Sequence, residues 1–206
     1  MPRSTFHLTV LCAALLAIGP AAALAQTTND STDATMPKAQ GTMSSKDTGT
    51  LNSSDRKFLE KAASGGMFEV QAGQLAEQKS ANDQVKEFGK KMADDHSKVG
   101  DELKQIAGNK SAQVPATLDK SEQKEMTKLQ KLSGTDFDKE YMKRMVSDHK
   151  DDVSAFKKEA SSGKDADLKS FASKTLPTLQ EHMTLAQTTY DSVKQAGKAS
   201  SAAAQK

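Results

Sequence analysis

Three histidines lie beyond the first 25 residues, and each follows an acid: Asp95-His96, Asp148-His149 and Glu181-His182. Each falls on the apolar stripe of a different predicted helix, and Glu69 occupies the stripe of a fourth. Neutral imidazoles with a carboxylate suit a transition metal: iron, zinc, manganese or copper. The candidate ligands are therefore Glu69, His96, His149 and His182. Asp152, one turn beyond His149, is a further carboxylate on the same face. Neighbours on a helix diverge by about 100°, so Asp95, Asp148 and Glu181 point away from the stripe. They are candidates for orienting imidazoles on adjacent helices as hydrogen-bond acceptors. The competing reading is a buried His/Glu network that satisfies itself without metal. Met92, Met145 and Met183 lie close to the histidines in sequence; thioethers would favour copper, although methionine also serves as adaptable core filler.

Other chemistries find little support. The single cysteine, Cys12, sits in the N-terminal apolar segment, so thiolate sites and disulfides are excluded from the rest of the chain. No Gly-x-Ser-x-Gly elbow and no phosphate loop after a strand are present. Gly65-Gly66 reads as a packing contact. Setting aside the first 25 residues, with Arg3, leaves 28 basic against 27 acidic residues. No basic block stands out, which argues against nucleic acid as a partner.

The elements that must position these groups are helical. Residues 1–25 read as a signal peptide: Arg3 gives a basic start, Leu8 to Ile18 an apolar core, and Ala23-Leu24-Ala25 a small-x-small cleavage pattern. There is no twin arginine, which points to the general secretory route and a periplasmic or extracellular location. No transmembrane segment is expected in the mature chain. Residues 26–51 are rich in Thr, Ser, Asp and Gly and read as a disordered leader. Residues 52–196 form one domain, and 197–206 read as a disordered tail.

Within the domain, the first helix is expected from Ser53 or Ser54 to Lys79, with Phe58, Ala62, Gly66, Glu69, Gly73 and Ala76 inward. The second spans about 82–107, its steps Val85, Gly89, Met92, His96, Val99, Leu103 and Ile106 following bundle-seam spacing. A short helix near 119–133 opens with an Asp119–Glu122 capping box, and Gly134 is expected to end it. A long helix follows from about 136 to 161. The last carries Leu168, Phe171, Thr175, Leu179, His182, Ala186, Thr189 and Val193 inward, with Pro177 predicting a kink or a break. The fold class is all-α: a ferritin-like four-helix bundle whose crossover connection contains an extra short helix. Counting at about 1.5 Å per residue puts all four candidate ligands near mid-bundle.

The stretches FLEKAASGGMFEVQAGQLAEQKSANDQVKEFGKKMADDH, GTDFDKEYMKRMVSDHKDDVSAF and LKSFASKTLPTLQEHMTLA resemble the bacterial secreted family called domain of unknown function 4142. The resemblance spans residues 52–196. It implies a ferritin-like fold and an exported protein, with outer-membrane association in some members, and it supplies no activity. The residue three before each histidine is Ala93, Val146 or Leu179 instead of Glu, so the usual di-iron pattern of Glu-x-x-His pairs is absent. One metal with three histidines fits better. Two functions follow: a metal-binding protein of metal or oxidative stress, with redox chemistry if it is an enzyme, or a non-catalytic envelope protein whose bundle binds a protein or cell-wall partner.

Overall fold

The computed structural model describes residues 50–203, and side chains to residue 198. The expected signal peptide, the leader up to residue 49 and residues 204–206 lie outside the described residues. The described residues form five helices: α1 (Ser53–Lys79), α2 (Asp83–Asn109), α3 (Lys120–Lys131), α4 (Gly134–Ser162) and α5 (Ala166–Ala203). No strand occurs among the described residues. None of these helices is long and apolar enough to cross a membrane.

Side chains set the helix starts. Asn52 caps α1 by accepting from the Ser54 and Asp55 amides, one residue ahead of the expected serines. Asn82 does the same for α2 through Gln84 and Val85. At α3 the expected capping box forms: Asp119 accepts from Ser121 and Glu122, and Glu122 accepts in return from the Asp119 amide. Gly134 departs from expectation. Its φ of 56° opens α4 after Ser133, and α3 has already ended at Lys131.

Contacts between the helix ends fix the topology. The Asp55 carboxylate, at the start of α1, accepts from the Lys164 and Asp165 amides in the α4–α5 turn. Lys110, just after α2, pairs with Asp165 at 2.8 Å and Asp167 at 3.0 Å. The start of α1, the end of α2 and the α4–α5 turn therefore share one end of the bundle. At the other end Lys79 donates to the carbonyls of Gln130 and Leu132, where the crossover finishes. The connection from α2 to α4 thus travels the length of the bundle and carries α3 with it. This is the ferritin-like arrangement: hairpins α1–α2 and α4–α5 joined by one crossover.

Small residues bring α1 against α2. A Cβ built on Gly73 would stand 2.4 Å from the Gly89 carbonyl oxygen, and one on Gly89 would stand 2.7 Å from that of Gly73. Only two glycines allow so close a crossing, which lies one turn from Glu69. The hairpin α4–α5 is packed by larger side chains. Pro177 does not interrupt α5. Its ring is on the exposed face, while Phe171, Ala172, Thr175 and Leu179 are buried around it. A proline inside a helix costs about 3 kcal/mol, which burial of two or three such flanking side chains offsets. The helix continues to Ala203, beyond residue 196 where the sequence places the end of the domain.

Two apolar clusters fill the interior. One gathers Phe68, Val85, Phe88, Met92, Phe137, Tyr141 and Met145 toward the Lys79 end. The other gathers Leu59, Leu103, Phe156, Leu168, Phe171 and Leu179 toward the Lys110 end. His96, His149 and His182 fall between them in sequence on α2, α4 and α5, and Glu69 follows Phe68 on α1; all four are buried and form a polar layer.

A buried three-histidine centre

Each long helix contributes one residue to this layer. Glu69 is 2% exposed, His96 4%, His149 0% and His182 1%. The imidazole centroids form a nearly regular triangle: 5.6 Å from His96 to His149, 5.3 Å from His96 to His182, and 5.4 Å from His149 to His182.

One nitrogen of each ring is held by an acceptor. His182 Nε2 lies 3.1 Å from Asp95 Oδ2. His149 Nδ1 lies 2.9 Å from the Met145 carbonyl oxygen and 3.5 Å from Glu69 Oε1. His96 Nδ1 lies 2.9 Å from Glu69 Oε2. Carbonyls and ionised carboxylates only accept, so with Glu69 ionised each ring donates from that nitrogen and its other nitrogen carries a lone pair. Those others are His96 Nε2, His149 Nε2 and His182 Nδ1. All three are buried, and none has a hydrogen-bond partner. One ring nitrogen from each histidine comes within 4.8 Å of the other two. A triangle at that limit has a centre roughly 2.8 Å from its corners, and a zinc–nitrogen bond is about 2.0–2.1 Å. Shifts of less than about 1 Å per ring would close it on one ion.

The electrostatics keep the donors neutral. Burial pulls His96 and His182 down to about 4 and also lowers His149. For His182 the neighbouring His96 adds to the effect, and the bond to Asp95 opposes it. Glu69 is pushed up to about 7 by burial, against the pull of His149. Burial would raise Asp95 too, but its bonds to Lys91 and His182 outweigh this and hold it at about 2.

The remaining sequence candidates separate clearly. Asp95 on α2 reaches across to His182 on α5, and Lys91 clamps it at 3.0 Å. Asp148 meets no imidazole; it accepts from Arg144 Nε at 2.7 Å. Burial raises it to about 6 even so. Glu181 faces outward and pairs with Lys91 at 3.3 Å. Asp152 is half-buried and lies outside the nitrogen triangle. Burial, and then the charge of Glu69, pushes its carboxyl well up. Met92 and Met145 belong to the apolar cluster at the Lys79 end, and Met183 is half-buried. Two supports escaped sequence reasoning. The Met145 carbonyl is a backbone group with no sequence signal. The Arg144–Asp148 pair follows an i,i+4 spacing that was open to view.

A family profile described as "Domain of unknown function (DUF4142)" matches residues 40–189. The chain belongs to the DUF4142 family. Among solved structures, the DUF4142 chain is similar to one described as "Crystal structure of DUF305 fragment from Deinococcus radiodurans". The TM-score is 0.59 at 8% identity, covering 71% of this chain and 99% of that one. At that identity the likeness bears on the fold alone. No curated protein matches the chain. The polar layer of this DUF4142 domain is therefore read from its own residues.

Proposed function

We propose that this DUF4142 protein binds one transition-metal ion in the middle of its bundle, through His96, His149 and His182. The carrying observation is threefold: the three imidazoles are buried, one nitrogen of each lies within 4.8 Å of the other two, and each ring has one nitrogen held by an acceptor and one with no protein partner. A self-satisfied His/Glu network would pair those nitrogens with one another or with Glu69. Instead each ring keeps a lone pair turned to no protein donor. Such acceptors behind metal-binding histidines fix ring orientation and strengthen the nitrogen as a ligand.

Three imidazole donors suit zinc, copper and iron, and leave a further position for Glu69 or water. Ionised Glu69 and Asp95 would offset the charge of a divalent ion. With the signal-like segment of residues 1–25, the reading is an exported metal-handling or stress protein, with no reaction assigned. Element analysis of the chain purified from the exported fraction tests it. The expected result is one ion per chain, absent from a His96→Ala, His149→Ala variant that keeps its helical circular dichroism. Wild-type protein that stays metal-free after exposure to zinc, copper, iron and manganese would overturn it.

A further inference from the structure

We infer that cations reach the three-histidine centre through an acidic cavity between α1, α3 and α4, with Glu69 as the receiving ligand at its inner end. The inference rests on the metal-binding reading above. The cavity, about 230 Å³, is walled by Asp119, Glu122, Asp148, Asp151 and Asp152 and reaches inward to Glu69. Glu69 is 2% exposed, and its Oε1 has no hydrogen-bond partner although Oε2 is taken by His96. That buried oxygen, on a residue lining the cavity, connects the acidic wall to the centre.

The wall's charges divide into used and unused. Asp119 and Glu122 form the capping box of α3, and Ser64 also donates to Glu122. Asp148 is bound to Arg144, whose guanidinium lies over the Phe68 ring at 5.2 Å to the centroid. Among the described residues, Asp151 and Asp152 have no hydrogen-bond or ion-pair partner. The cavity sets six carboxyl groups against two cations, Lys61 and Arg144, and burial, which raises Glu69, Asp148 and Asp152, thins the negative charge without removing its excess. A cleft with such a balance concentrates cations and raises their association rate, an effect that salt suppresses.

A second cavity, about 300 Å³, reaches the centre from between α1, α2 and the crossover loop. It touches His96, but its wall is mainly apolar, with Ala63, Met67, Val70, Val114 and Pro115. Desolvation makes that path costly for an ion, so it is the competing route.

Stopped-flow uptake of cobalt(II) by the metal-free full chain separates the two, because tetrahedral cobalt reports its own binding in the visible spectrum. Asp119→Asn with Asp151→Asn removes two exposed charges and keeps the α3 cap, since asparagine also caps. The loading rate at low salt should fall about 3- to 10-fold, its salt dependence should flatten, and one ion per chain should still bind at equilibrium. Gly65→Leu serves as a plug: a Cβ there meets only Glu122 Oε1, at 4.0 Å, and it should slow loading as well. Gly100→Leu in the apolar cavity, where a Cβ meets nothing within 4 Å, should leave the rate unchanged. Full stoichiometry with unaltered rates in both acidic-side variants, or slowing by Gly100→Leu alone, overturns the route while sparing the centre. A wild-type chain that takes up no cobalt at equilibrium overturns both.

Discussion

Glu69→Gln distinguishes a carboxylate kept for a metal from one kept for stability. Glu69 titrates near 7 in the folded chain against 4.5 for an ordinary glutamate. Between those values the folded state holds a proton that the unfolded state has released. Metal-free protein therefore loses stability as pH rises from about 4.5 to 7, and the loss persists above 7. The separation corresponds to about 3 kcal/mol at 1.36 kcal/mol per pH unit. Glutamine keeps an acceptor for His96 and carries no charge, so the variant escapes that loss. The histidines act in the opposite direction, adding stability as pH rises between their lowered values and 6.5, but they do so in both chains and largely cancel. Urea unfolding of chelator-treated protein at pH 4.5 and pH 8 measures the difference. The stability of Glu69→Gln relative to wild type should rise by about 3 kcal/mol across that interval, and a saturating divalent metal should reverse the ranking at pH 8. A pH-independent difference, or a variant that becomes relatively less stable by pH 8, would refute the reasoning.

Three further outcomes are expected. Asp95→Asn weakens the hold on His182 Nε2, and metal affinity by isothermal calorimetry should drop about 10- to 100-fold with unchanged circular dichroism. Metal binding should persist in mildly acidic solution: at pH 5.5 two ordinary imidazoles would each be roughly one-tenth neutral, for a ~100-fold loss. In Glu69→Gln, where the carboxyl no longer titrates, His96 and His182, near 4, should together lose less than about 2-fold when competition titrations at pH 7.5 and 5.5 are compared. Gly73→Val places a side chain where Gly89 leaves 2.4 Å, and thermal unfolding should report at least about 1–3 kcal/mol of destabilisation.

The bundle was legible because its inward stripes are long. On α5, Leu168, Phe171, Thr175, Leu179, His182, Ala186 and Val193 are buried as their spacing demands, and Thr189 on the same stripe is half-buried. On α1 the stripe holds in its second half, where Glu69, Gly73 and Ala76 are buried, and drifts in its first, where Phe58, Ala62 and Gly66 are half-buried while Leu59 and Phe68 are buried. Small residues blur that helix's periodicity, and its real seam is the Gly73–Gly89 crossing, which needs the partner helix to be seen. Local signals misled at two points. Gly134 was free to open a helix as well as to end one, and of the kink or break expected at Pro177 the break does not occur. The convergence of the histidines followed from depth counting along straight helices, which fixes height well. The partners of the acids did not follow, because they depend on rotation between helices. Asp95 found His182 across the bundle, whereas Asp148 turned to Arg144 on its own helix.

X-ray absorption at the metal edge of the zinc-loaded chain tests the central claim most directly. The predicted first shell contains three imidazole nitrogens at about 2.0–2.1 Å with their characteristic outer-ring scattering, completed by a light oxygen donor. A shell of oxygens alone, or one whose imidazole count is unchanged in His96→Ala, His149→Ala protein, would contradict it.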